Sequence, residues 1–114
     1  MAHHLRVIAG IAGGRRLSAP RGDAIRPTTG RVKAAVFSAL MARERLVGAK
    51  VLDLYAGTGA LAIEALSRSA ARAVLVENDR TALEALRRNL SVTGTATSAS
   101  VGAMPTRMFF TFAT

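Results

Sequence analysis

The sequence predicts an α/β protein organised around a parallel β-sheet and preceded by a β-hairpin and a helix. Three observations carry that expectation. From Lys50 onward, short apolar runs alternate with stretches of helical period, giving strand, helix, strand, helix. The connections between them are short, and one, Ala56-Gly57-Thr58-Gly59, is a glycine turn. The run Ala73-Val74-Leu75-Val76 is apolar at consecutive positions, which suits a strand covered on both faces.

Each element has a local reason. Leu5–Ala9 and Arg15–Ala19 flank Gly10, Gly13 and Gly14, which can take the positive φ of a tight turn, so this segment reads as a hairpin. Pro20-Arg21-Gly22-Asp23 breaks regular structure. Arg26-Pro27-Thr28-Thr29 precedes a helix expected over residues 30–45, with Thr28 or Thr29 as its cap. Val32, Ala35, Val36, Ala39 and Leu40 recur at helical spacing and form its expected buried stripe, with Arg31, Lys33, Arg43 and Arg45 on other faces. A strand over 51–55 follows, then a helix over 60–68 with Leu61, Ala62, Ala65 and Leu66 on one side. A second strand is expected over 73–77. A helix over 80–92 comes next, with Asp79 as N-cap, Leu83, Leu86 and Leu90 facing the core, and Gly94 as its stop. A weak third strand falls within 97–102. Two units result: a basic hairpin–helix extension over 1–48 and a sheet unit over 49–114.

Composition narrows the function classes. Half of the 114 residues are apolar and mean hydropathy is +0.26, enough to bury a core. There is no Cys, which excludes disulfides, Cys-ligated zinc, iron–sulfur clusters and a thiol nucleophile, and no metal site is expected. No apolar run approaches the ~20 residues that cross a bilayer. Residues 1–12 carry Arg6 within their apolar stretch and lack a signal-peptide core, so the expectation is a soluble, cytoplasmic protein without a membrane partner. The net charge is +9, and residues 1–45 hold nine basic side chains against two acids. A basic block at one end suits a polyanion partner, although a solvated basic face has the same composition.

The chemistry lies in residues 51–66, VLDLYAGTGALAIEAL. A strand runs into Gly57-Thr58-Gly59, a helix starts at once, and Glu77 ends the next strand 20 residues after Gly57. In doubly wound folds this is the nucleotide-cofactor corner. The first Gly permits the turn, the second lets a ligand approach the backbone, and the acid accepts from ribose hydroxyls. Two cofactor classes use such a corner. Residues 57–62, GTGALA, satisfy the loose dinucleotide pattern, whose pyrophosphate wants N–H groups and no nearby carboxylate. S-adenosylmethionine brings an ammonium and a sulfonium instead, and Asp53, four residues before Gly57, suits a cation and would repel a diphosphate. The corner therefore favours the methyl donor. Singly, Asp53 reads equally as a strand-end acid bonded to loop N–H groups, and Glu77 as a solvated strand terminus.

Several of these pieces together resemble the RsmD-type 16S ribosomal RNA (guanine-N2)-methyltransferases, class I S-adenosylmethionine enzymes with a Rossmann-like doubly wound sheet. The matching segments are Arg6–Gly10, Gly14–Leu17, Arg26–Thr29 followed by Arg31–Phe37, Leu52–Leu61, Glu64–Arg68 and Val76–Asp79. Gly30 and Ser69 depart from the family's usual acid and glycine. The resemblance implies that Asp53 and the Gly57-Thr58-Gly59 loop, with Tyr55 and Ala56 in the same corner, hold the methionine part of the donor. It implies that Glu77 holds the ribose and that Asn78 lies beside the adenine. It further implies that Arg6, Arg15, Arg16, Arg26, Thr28, Arg31 and Lys33 contact phosphates of 16S ribosomal RNA or the small ribosomal subunit, positioning the RNA without reading its sequence. Helix capping is an equally good role for the segment from Arg26 to Thr29.

The same resemblance calls for an Asp/Asn-Pro-Pro-Tyr/Phe segment to hold the flipped guanine. The chain has only Pro20, Pro27 and Pro105, and its one Tyr is Tyr55, so no catalytic residue is assigned. About three strands follow Lys50, and residues 103–114 crowd Phe109, Phe110 and Phe112 into a tail. The expectation is a truncated or frame-shifted family member that keeps the RNA arm and half the donor site, transfers no methyl group alone, and self-associates through the uncovered edge of its sheet. Two alternatives stand beside it: a fragment of an NAD(P)-binding oxidoreductase, and a non-catalytic RNA-binding module.

Overall fold

In a computed structural model of the chain, residues 5–19 and 29–103 are described. The elements run α1 (Gly30–Ala42), β1 (Lys50–Asp53), α2 (Ala60–Ser67), β2 (Arg72–Val76), α3 (Arg80–Thr93), a single 3-10 turn (Ala96–Ser98) and β3 (Ala99–Gly102). The strands form one parallel sheet in the order β1-β2-β3, with Asp53 opposite Leu75 and Val76 opposite Gly102. β1 stops at Asp53, short of the expected Tyr55, because the chain turns there into the glycine loop, where Ala56 N–H donates to Val76 O at 3.0 Å.

Parallel crossovers are right-handed, and these strands add in one direction, so α2 and α3 share one face of the sheet. Ala73 and Leu75 point into that layer and are 1% and 0% exposed. Val74 and its register partner Leu52 point the other way and are 45% and 63% exposed. The expectation that β2 is covered on both faces therefore holds for only one face among the described residues. Covering the second requires a chain reversal past β1, and no such reversal occurs within them.

Two helices begin where a side chain caps them. Thr29 accepts from Val32 N–H at 3.2 Å, and Asp79 accepts from Ala82 N–H at 2.9 Å. Gly94 ends α3 at φ +73. α1 ends at Ala42 rather than residue 45, because Glu44 takes the left-handed φ of +53. The buried face of α1 also differs from the expected stripe. Lys33 and Phe37 are buried, whereas Val32, Ala35, Val36 and Ala39 are exposed. Phe37 lies beneath the Arg68 guanidinium, 5.2 Å from the ring centre, and Lys33 reaches a carboxylate on α2. Those tertiary partners outweigh the apolar spacing.

The hairpin forms as expected, with Arg6 opposite Arg16 and bonds from Val7 N–H to Arg15 O and from Gly14 N–H to Val7 O. Gly10 turns at φ +87, and a Cβ there would lie 1.9 Å from Ser67 O. Val7, Ala12, Leu17, Phe37 and Leu46 pack in one cluster with Ile63, Leu66, Leu75 and Leu86, so the extension and the sheet unit share a core. Arg26, Thr28, the break at 20–23 and the phenylalanine-rich tail lie outside the described residues.

Candidate functional site

Parallel strands bring their carboxyl ends to one edge, and the crevice above that edge is where α/β sheets bind ligands. Asp53 ends β1 on the helix-covered face, in register with buried Leu75. Its carboxylate accepts from the Tyr55 backbone N–H, while its Oδ2 is buried and has no hydrogen-bond partner among the described residues. Burial pushes the Asp53 carboxyl above its ordinary value; the Tyr55 hydrogen bond opposes this and the neighbouring Glu77 charge adds to it. A buried oxygen without a donor costs free energy unless something outside the described residues satisfies it.

Glu77 joins the two loops of this edge. Its Oε1 accepts from Gly57 N–H at 2.7 Å, its Oε2 from Asp79 N–H at 2.8 Å, and its own N–H donates to Gly102 O at 3.0 Å. Gly57 and Gly59 both take positive φ, +57 and +83. The φ of +83 alone strains any other residue at Gly59, and a Cβ there would also sit close against the packed core, 3.3 Å from Ile63 Cδ1 and 3.4 Å from Leu86 Cγ. Thr58 is buried, while Tyr55 and Asn78 are exposed at the rim. Asp53, Ala56, Gly57, Thr58, Gly59 and Glu77 thus converge at the carboxyl edge of the sheet, with Tyr55 and Asn78 beside them.

Two buried polar side chains hold the hairpin to the sheet unit. Glu64 on α2 is fully buried and accepts from Ile8 N–H (2.8 Å), Ala9 N–H (3.0 Å) and Arg68 Nε (2.8 Å), with Lys33 Nζ 3.2 Å away. Burial acts to raise its pKa, but the donors from Ile8, Arg68 and Ala9 and the Lys33 charge outweigh it and hold the carboxyl below its ordinary value. Asn89 on α3, 1% exposed, bonds Ser18 and the carbonyl of Thr58. Neither residue was assigned a role from the sequence. A signal was present for Asn89: it lies four residues after Ala85 and three after Leu86, on the buried stripe, where a polar side chain must find partners.

The basic residues divide. Arg6, Arg15, Arg16 and Arg31 are exposed, with Arg15 Nη1 reaching Val92 O at 3.4 Å. Lys33 corrects the expectation of a phosphate contact. Its side chain is 3% exposed, and its ammonium is bonded to Arg6 O at 2.7 Å and paired with Glu64, so no phosphate reaches it. Among the described residues no cluster of three or more potential metal ligands occurs, and no helix is long and apolar enough to cross a membrane.

Comparison with known proteins decides the lineage. A family model described as "Conserved hypothetical protein 95" matches residues 5–110. The chain belongs to this family. It is the RsmD-type family to which the motifs pointed: ribosomal RNA small subunit methyltransferase D of Escherichia coli (strain K12) is 45% identical over 87 residues, spanning 76% of this chain and 43% of that protein. The Haemophilus influenzae protein of the same name is 40% identical over 86 residues, 75% of this chain and 44% of its own length. The chain therefore spans under half the length of these curated relatives. Among solved structures, a hypothetical protein of Thermus thermophilus superposes with a TM-score of 0.76 at 35% identity, covering 95% of this chain and 60% of that one. Precorrin-6y C5,15-methyltransferase of Geobacter metallireducens, 21% identical with a TM-score of 0.63 over 77% of this chain and 44% of its own, shares the fold alone. The Rossmann-like α/β class of this family member is thereby established.

Proposed function

We propose that these residues form the S-adenosylmethionine-binding half of an enzyme that methylates a guanine N2 of 16S ribosomal RNA, with the exposed basic hairpin against the RNA. One observation carries the donor assignment: the buried Oδ2 of Asp53, which meets no hydrogen-bond donor among the described residues. An acceptor-only carboxylate oxygen held there suits an ammonium and opposes a diphosphate. The Gly57 N–H that a phosphate would use is moreover already donated to Glu77. The same features weigh against an NAD(P)-binding oxidoreductase.

Bound there, the donor supplies an electrophilic methyl group on its sulfonium. Asp53 takes the ammonium, the loop from Tyr55 to Gly59 supplies backbone around the methionine part, Glu77 accepts from the ribose, and Asn78 flanks the adenine. Arg6, Arg15, Arg16 and Arg31 neutralise phosphates and position the RNA. The names of the relatives support ribosomal RNA of the small subunit as the partner. The 114 residues include no Asp/Asn-Pro-Pro-Tyr/Phe segment, so the proposal assigns them donor binding and RNA positioning.

Titration calorimetry tests this. Adenosylhomocysteine should give binding heat and NADH none. Asp53→Asn should weaken adenosylhomocysteine by about ten- to a hundred-fold, the equivalent of one charge-assisted hydrogen bond. Binding of NADH without binding of adenosylhomocysteine would overturn the assignment.

A further inference from the structure

We infer that Asn89 is a positioning residue that ties the basic hairpin directly to the donor loop, so that occupancy of one is felt at the other. This rests on the reading of residues 57–59 as the donor loop. Ser18, on the returning arm of the hairpin, meets a single side chain with both of its backbone groups. Its N–H donates to Asn89 Oδ1 at 2.6 Å, and its carbonyl accepts from Asn89 Nδ2 at 2.9 Å. The amide thus pairs with Ser18 as a neighbouring strand would. The second Nδ2 proton goes to Thr58 O at 2.9 Å, inside the glycine loop. Only one orientation of the amide satisfies all three bonds, and Asn89 itself is buried at 1% exposure.

Other bonds hold the hairpin to α1, to the end of α3 and to the middle and end of α2. Glu64 takes Ile8 and Ala9 N–H, and Ser67 Oγ accepts from Ala12 N–H and donates to Ala9 O. Those contacts fix the hairpin to the protein without touching the donor loop. Asn89 spans arm and loop with one planar group, and a planar amide cannot follow one partner without moving relative to the other. Displacing Ser18 therefore strains or breaks the bond to Thr58 O, and ordering the loop around the donor restrains Ser18. Such coupling is reciprocal.

The test combines amide hydrogen exchange with donor affinity, using adenosylhomocysteine as the probe. In the wild-type chain the probe should slow exchange at Ser18 several-fold, and less at Ile8 and Ala9. Asn89→Asp keeps the acceptor for Ser18 N–H and loses both donors; it should weaken the probe by about ten-fold and abolish its effect on Ser18. A role confined to stability would lower the melting temperature and leave probe affinity of the folded protein unchanged. That outcome overturns the inference, as does a wild-type Ser18 indifferent to the probe. Should Asn89→Asp fail to fold, the wild-type exchange comparison decides alone. A wild-type chain that binds no adenosylhomocysteine overturns the donor reading itself and takes the inference with it.

Discussion

Replacing Glu64 by Gln should remove a large part of the stability of this protein. The carboxylate receives two backbone N–H groups, one guanidinium and one ammonium. An amide of the same shape offers one acceptor oxygen and presents N–H protons where donors already point. It also leaves Lys33 charged and buried without its carboxylate counter-charge, its described acceptors reduced to Arg6 O and the neutral amide oxygen. Breaking a buried ion pair from one side costs about 3–5 kcal/mol. A domain of this size is stable by on the order of 10 kcal/mol, so a third to a half would be lost. At an m-value of about 2 kcal/mol/M, the urea midpoint should fall by about 2 M.

Removing the stranded cation isolates the cause. Lys33→Met added to Glu64→Gln should cost less than the sum of the single changes, by about 1–3 kcal/mol. The pH dependence follows the same logic. The folded-state pKa of Glu64 is depressed, so its contribution is complete above its unfolded value and is lost as pH falls through the folded one. That component of acid sensitivity should be missing in Glu64→Gln. Urea titrations from neutral pH downward measure all three quantities. A single variant within about 0.5 kcal/mol of wild type, or strict additivity in the double, would refute the reasoning.

Other consequences are more local. Gly10→Ala places a Cβ 1.9 Å from Ser67 O at φ +87, so the hairpin must shift off α2; thermal melts should show a loss of about 2 kcal/mol or more. Gly94→Ala meets open space, and only the left-handed φ of +73 opposes it, so about 1 kcal/mol should be lost in the same assay. Because the pKa of Asp53 is raised and a cation needs its ionised form, adenosylhomocysteine affinity should decline on acidification at a pH above the ordinary aspartate value, and Asp53→Asn should abolish that decline in calorimetry. Relieving the buried charge should also make ligand-free Asp53→Asn more stable than wild type at neutral pH.

Elements stabilised by near neighbours in the chain were legible without coordinates. Asp79 and Thr29 cap through a bond to a residue three positions on, and Gly94 stops a helix through its own φ. The strand–helix alternation and the convergence of Asp53, the glycine loop and Glu77 were legible for a similar reason: chain order alone places the ends of parallel strands at one edge. Contacts between distant segments were not. Lys33 looked like one more surface cation until Glu64, 31 residues away, drew it inward and turned α1 so that Val32 and Val36 face out. Asn89 falls on the buried stripe of its helix, but nothing near it in the chain shows that its partner is Ser18, 71 residues away.

By itself the sequence determined the fold class, the family, the capped ends of the helices and the acidic, glycine-lined corner, because each depends on periodicity, local hydrogen bonding or a compact motif. Tertiary structure alone decided which face of α1 is buried, which basic side chains stay exposed, what packs around Gly59, and how the hairpin is tied to the loop. Those outcomes turn on buried polar groups finding partners across the fold, and spacing along a chain carries no record of which partner comes within reach.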